Sequence, residues 1–224
     1  MSHSSSIEEA FTMADDESAQ VLSRRERERL AHRREILEAA ERVFARNGYH
    51  GATVEQIAQE AEFGVGTLYT FFKSKEELYK EVLAGIIEEA MALARERVFT
   101  QEDPVAAIEA LIEFRLTILE KHKGFARVVF EAAQAEYADA SLALPSRCMA
   151  LIEEGQEAFT RIIERGVATG AFVNVAPADL TLCIQGILNA FIAQWVRHEP
   201  AETLAERVAR LRGVILSLVL RRQS

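Results

Sequence analysis

The sequence predicts an all-α fold, in which a small N-terminal unit of three helices, two of them a helix-turn-helix, is joined by a long helix to a larger helical domain. Three observations lead there. Residues 53–72 read as two short capped helices crossing through a tight turn, only four prolines interrupt the 224 residues, and no stretch alternates like a half-buried strand between turn signals. With 49% apolar and 8% aromatic residues, the chain can fill one large core or a small and a medium one.

Residues 1–22, rich in Ser and acid and without Lys or Arg, are expected to form a disordered extension. A first helix follows from about Arg25 to Asn47, with Ile36, Ala40, Val43 and Phe44 spaced to share one face. Asn47-Gly48 ends it at a position suited to a left-handed residue. Thr53 with Gln56 then forms a capping-box pattern, and Ser74 with Glu77 repeats the device one helix later. Between these caps Ile57, Ala58, Ala61, Phe63, Leu68 and Phe71 fall at interior positions, with Ala58 where the two helices approach closest.

The helix opened by Ser74 is expected to run to about Phe99, a rod of about 38 Å that can join two domains. Beyond Asp103-Pro104 five more helices are expected near 104–121, 123–137, 145–169, 178–198 and 201–222. Breaks at Lys123-Gly124, Leu144-Pro145, Gly170 and Glu199-Pro200 separate them. The predicted organisation is an extension over 1–22, a small helical domain over 23–83 and a larger one over 84–224.

A helix pair of this shape fits a DNA major groove. The net charge of −9 argues against a nucleic-acid partner until its distribution is read. Residues 1–22, 23–82 and 83–224 carry −5, 0 and −4, so the segment with the helix pair is the least acidic. Within it Arg24, Arg25, Arg27, Arg29, Arg33 and Arg34 can neutralise phosphates or reach a minor groove. The competing reading is a solvated helix face in which Glu26, Glu28 and Glu35 pair with them.

Other functions find less support. Cys148 and Cys183 match no zinc or redox spacing and read as two reduced core thiols, and the five histidines show no ligand spacing, so no metal or cofactor is expected. No Ser-His-Asp or Cys-His grouping and no phosphate loop stands in a recognisable context. Glu88-Glu89 and Glu153-Glu154 point to adjacent helix faces and form no acid/base couple by themselves. The longest uninterrupted apolar runs fall far short of a bilayer span, and the polar, acidic N-terminus lacks a signal peptide's features. A cytoplasmic protein without a membrane partner is expected.

The order of the elements is more specific than any one of them. A basic helix precedes the pair, the pair ends in Gly66-Thr-Leu-Tyr-Thr-Phe-Phe72, and Ser74-Lys-Glu-Glu-Leu78 leads into one long helix. From about Arg33 to Leu83 this arrangement resembles the TetR family of one-component bacterial transcription regulators. The resemblance implies a DNA-binding N-terminal domain and a larger domain for ligand binding and dimerisation. It implies contacts to DNA backbone or bases from Thr67, Tyr69 and Lys75, and a phosphate contact from Thr53.

The exposed groups of the second helix of the pair would be Gly64, Val65, Gly66, Thr67, Tyr69 and Thr70, with Val65 and Thr70 suited to thymine methyls. Each has a plainer alternative: Thr53 as a cap only, Tyr69 packed between helices, Lys75 merely near a helix start. Lys75 is the sharpest, because a cation in the first turn opposes the helix macrodipole and a nearby phosphate would reverse that penalty. Two residues depart from the family's pattern. Glu62 stands where a turn Gly is usual, and Gly64 replaces the usual Ser or Thr cap of the reading helix.

The last two helices carry a second signal. Leu204, Val208, Leu211, Ile215 and Leu218 recur at four-three spacing, and Gly186, Ala190 and Ala193 form a stripe of small residues on the preceding helix. Either they fill the protomer's own core or they build a homodimeric four-helix bundle, the arrangement to which the resemblance points. A dimer would carry two heads to a near-palindromic double-stranded operator.

Phe114, Phe125, Phe130, Tyr137, Met149, Phe159, Phe191 and Trp195 can line an apolar cavity, with Gln134, Gln185 and Asn189 as polar anchors, or can simply pack a core. The resemblance implies a small-molecule inducer, commonly hydrophobic. The expected function is that of a homodimeric repressor released from its operator by such an effector. The alternative is a nucleoid or division factor of the same fold without a small-molecule switch.

Overall fold

A computed structural model describes residues 23–134, 144–198 and 201–221, in two units that divide between Glu35 and Ile36. The extension expected to be disordered and Tyr137 lie outside the described residues. These residues form nine helices: α1 (Arg24–Gly51), α2 (Val54–Glu60), α3 (Val65–Phe71), α4 (Lys75–Arg97), α5 (Pro104–Lys121), α6 (Lys123–Gln134), α7 (Ser146–Ala168), α8 (Pro177–Arg197) and α9 (Leu204–Val219). One isolated bridge, Phe172 with Leu220, is the extended pairing among them.

The predicted punctuation explains the boundaries. α1 is broken at Gly48, whose φ of 70° costs an L-residue more than glycine. Asp103 opens α5 by accepting from the N–H groups of Val105 and Ala106, ahead of a proline at the first turn that has no N–H to leave unsatisfied. Thr203 and Glu206 open α9 with a full capping box that the sequence reading had not picked out.

Two apolar cores form within Ile36–Ser224. The first gathers Ile36, Phe44, Ile57, Leu68, Leu78 and Tyr79 from α1 to α4, together with Phe125 and Val128 from α6. The rings of Phe44 and Tyr79 meet edge to face at 5.8 Å, and those of Tyr79 and Phe125 lie 5.3 Å apart. Burial pushes the Tyr79 hydroxyl up to about 12. The sequence groups Phe125 with cavity residues of the larger domain; the structure instead places it here, because α6 begins against α1. A Cβ on Gly124 would lie 2.5 Å from that of Ala45, so the helices meet where only glycine fits.

The second core is built around α5, whose Ala107, Ile108, Leu111, Ile112, Phe114, Leu116 and Leu119 are buried. α7, α8 and α9 close it with Phe159, Ile162, Ile184, Leu188, Leu211 and Ile215. This corrects the four-three seam. Leu211 and Ile215 are fully buried inside the chain and cannot face a partner, whereas Leu204 and Val208 pack against the core's edge and Leu218 is 57% exposed. Gly186 and Ala190 are exposed and Ala193 is half-buried.

Two other expectations are revised. Cys148 is buried, but Cys183 is exposed on α8 rather than a core thiol. α8 is long and apolar enough to cross a membrane by length and composition, although only 28% of its 18-residue window is buried within the chain. Counting uninterrupted apolar runs missed it, since polar residues such as Gln185 and Asn189 divide the helix.

Candidate nucleic-acid interface

The helix pair is fastened at both ends before any exposed group is placed. Thr53 Oγ1 accepts from Gln56 N–H at 3.2 Å, and Gln56 Oε1 accepts from Thr53 N–H and Asn47 Nδ2, both at 3.0 Å. The capping box therefore also ties α2 to the end of α1. In the turn Phe63 N–H donates to Ala58 O at 2.9 Å, and Glu62 adopts φ 60°, the left-handed conformation expected to be strained at that position. Gly64 caps α3 through its backbone alone, accepting from Thr67 and Leu68 N–H, with no side-chain bond.

Leu68, 1% exposed, anchors α3 in the first core, while Gly66, Thr67, Tyr69 and Thr70 face outward. Tyr69 is 52% exposed, so its ring is not packed between helices. Thr70 Oγ1 donates to Thr67 O at 2.7 Å, which fixes the hydroxyl inward on its own helix. Val65 is half-buried and packs against the core, leaving it less exposed than the sequence pattern suggested.

Lys75 has found another partner for its charge. Nζ donates to the carbonyls of Tyr49 and Ala52, each at 2.9 Å, and lies 4.7 Å from the centre of the Tyr49 ring. The macrodipole penalty at the start of α4 is offset by the carbonyl-rich end of α1, without any phosphate. At the next junction Ser74 Oγ accepts from Glu77 N–H, while the Glu77 carboxylate accepts from Lys73 N–H at 2.6 Å.

Behind the pair, Glu60 accepts from Arg46 at 2.5 Å and Arg42 at 2.8 Å, and these bonds hold its carboxyl down to about 2. Glu60, Arg46, Val43, Asn47, Gln56 and Gln59 line an open polar groove of about 540 Å³. In the N-terminal unit, Arg33 is half-buried on α1, and Arg24 pairs with Glu28 at 2.8 Å.

The residues expected as effector contacts differ in burial and in their partners. Phe114, Phe159 and Trp195 are buried in the second core. Phe130 lies under Arg197, 5.0 Å from the guanidinium to the ring centre, and Gln185 is half-buried. Gln134 ends α6, and its side chain is outside the described residues. Asn189 is exposed and accepts from Arg115 Nη2 at 2.8 Å.

Two groups escaped the sequence reading. His122, at the turn between α5 and α6, lies 2.6 Å from Glu41 on α1 through Nδ1 and 3.3 Å from Glu89 on α4 through Nε2. The bond to Glu41 raises its pKa despite burial. Burial pushes the Glu89 carboxyl up, but Lys121 and His122 bind it and leave it below its usual value. The second is Arg115. Neither belongs to a local motif, since their partners lie 33 to 81 residues away in the chain.

Comparison with known proteins agrees with this geometry. Residues 36–82 match the family model described as bacterial regulatory proteins, tetR family. Over 180 residues the chain is 30% identical to the HTH-type transcriptional regulator YhgD of Bacillus subtilis, covering 76% of this chain and 88% of that one. Two solved structures share the fold at lower identity. The transcriptional regulator FadR from Bacillus subtilis, in complex with stearoyl-CoA, superposes with a TM-score of 0.68 at 19% identity, covering 82% of this chain and 97% of that one. A transcriptional regulator from Saccharomonospora viridis, in complex with choline, gives 0.70 at 20%, covering 85% and 98%. With its capped helix pair, outward-facing α3 and all-helical second core, the chain belongs to the TetR family of DNA-binding transcription regulators.

Proposed function

We propose that the protein is a homodimeric, cytoplasmic repressor that reads a near-palindromic operator with α3 and is released by a small hydrophobic effector. The observation that carries the reading is the outer face of α3. Gly66, Thr67, Tyr69 and Thr70 stand exposed on a helix whose other side is locked into a core by Leu68. Thr67, Tyr69 and the edge of Val65 meet bases or backbone, and the N–H groups at Gly64 and the start of α2 by Thr53 meet phosphates. Lys75 keeps its carbonyl bonds and adds positive charge beside them. In its own unit, Arg33 contributes a phosphate contact.

The dimer is argued from the outer face of α8. Leu182 is 70% exposed, and nothing lies within 4 Å of a Cβ built on Gly186 or on Gly213 of α9. Apolar and small groups left open on long helices are covered by a second copy at low cost, which suits a four-helix bundle. Leu182 and Gly186, with Ala190 and Ala193, replace Leu211 and Ile215 at its centre, and Leu204, Val208 and Leu218 flank it.

Effector release follows as a difference in affinity between two states of the dimer. α6 reaches from the first core, through Phe125, to Phe130 beside Arg197 of α8, so a ligand in the larger domain has a mechanical route to α3. The ligand-bearing structures of FadR and the choline-bound regulator are consistent with such a switch.

The test is selection of bound duplexes from a random DNA pool at two salt concentrations, with wild type and Tyr69→Ala. Enrichment of one near-palindrome by the wild type alone is the expected result. Equal enrichment by both proteins would remove α3 from the contact, and many unrelated wild-type sites would favour a nucleoid factor.

A further inference from the structure

Three successive contacts join the turn between α5 and α6 to the base of the reading head. His122, the single residue between the two helices and 8% exposed, bonds Glu41 of α1 through Nδ1 at 2.6 Å and Glu89 of α4 through Nε2 at 3.3 Å. Gly124 meets Ala45 of α1 where no Cβ fits, and Phe125 enters the first core. Glu41 and Ala45 are one helical turn apart, so the polar and the apolar contact are stacked on α1. Of the three, the first alone depends on a proton.

A neutral imidazole has one N–H and can donate to one of two facing carboxyl oxygens, which leaves the other opposite a lone pair. The imidazolium donates to both. The bridge from α1 through the turn to α4 is therefore complete only when the ring is charged. The Glu41 bond raises the His122 pKa despite burial, so the bridge opens above the ordinary imidazole value of about 6.5. Lys121 also holds Glu89, at 2.6 Å. The other charges on the adjoining turns of α1, α4 and α5 face elsewhere: Arg42 to Glu60, Glu88 to Arg147 and Glu120 to Arg207. Glu38 on α1 and Lys123 and Arg127 on α6 complete the set.

We propose that His122 is a positioning residue for DNA recognition: its imidazolium pins α1 and α4 to the α5–α6 turn, holds the reading head at the setting in which α3 fits its half-site, and so links operator affinity to pH. The proposal goes beyond the reading of α3 as the operator contact and rests on it. A pinned head has less freedom to lose on binding, and the operator complex in turn holds the proton more tightly than the free protein does.

The test is operator affinity from about pH 6 to about pH 9, for wild type, His122→Gln and Glu41→Gln, with the duplex selected from the random pool. His32 and His50 also titrate in this range, so the quantity read is the change in wild type beyond that in the variants. Expected is about fivefold tighter binding by wild type at the acid end, a modest coupling between two sites, with the step flattened in both variants. Should His122→Gln fail to fold, Glu41→Gln, altered at a side chain 25% exposed, carries the comparison alone.

Parallel profiles for wild type and variants would overturn the proposal, as would an excess affinity on the alkaline side. A loss of affinity in the variants that is uniform across pH would reduce His122 to packing. These outcomes leave α3 as the reader and sink the role of His122 alone. Failure to enrich any operator would remove the reading of α3 and the positioning role with it.

Discussion

At the scale of single residues, His122 is where charge and position meet. It joins α1, α4 and the turn before α6 through Glu41 and Glu89, and its pKa is raised chiefly by the Glu41 bond. The folded protein therefore holds this proton more tightly than the unfolded chain, whose imidazole titrates near about 6.5. That stabilisation is complete below the unfolded value and is lost as pH rises through the folded one. Melting of wild type and His122→Gln should accordingly differ more at about pH 5.5 than at about pH 8.5. An equal difference at both would assign His122 to packing alone. None of this was legible in the sequence, because Glu41 and His122 are 81 residues apart and fit no spacing rule. Asn189 stood out in the sequence, but its bond to Arg115 was hidden for the same reason, 74 residues separating the two. Thr53 with Gln56 was legible because a capping box is complete within four residues.

At the scale of elements, local caps made several helix ends readable, as at Gly48, Thr53, Ser74 and Asp103, although the equally local box of Thr203 and Glu206 went unread. Which face of a helix meets the core was less readable. α9 shows why, since a four-three repeat is consistent with burial inside the chain and with burial against a partner. Leu211 and Ile215 took the first option. The turn between α2 and α3 shows a local sequence departing from its backbone's preference. Glu62 at φ 60° carries strain of about 1–2 kcal/mol that glycine would not, partly offset by glycine's greater entropy when unfolded. Glu62→Gly should raise the denaturant midpoint slightly and, by removing a carboxylate beside the reading helix, tighten DNA binding most at low salt. A lower midpoint would show that the left-handed turn is held by contacts of the glutamate itself.

For the molecule as a whole, the open apolar face of α8 makes the oligomeric state testable without DNA. A charge at Leu182, 70% exposed within one chain, costs nothing in a monomer and a great deal in a dry interface. Leu182→Glu should sediment as a monomer with unchanged helical content and lose affinity for a palindrome while retaining weak binding to a half-site. A dimer that persists would move the interface elsewhere. The family's helix-turn-helix match ends at residue 82, yet the core beneath it is completed by Phe125 and Val128. Reading heads in this protein are therefore not interchangeable cassettes: a chimera grafted at residue 83 would need the 122–128 segment of the same parent to keep its aromatic cluster whole.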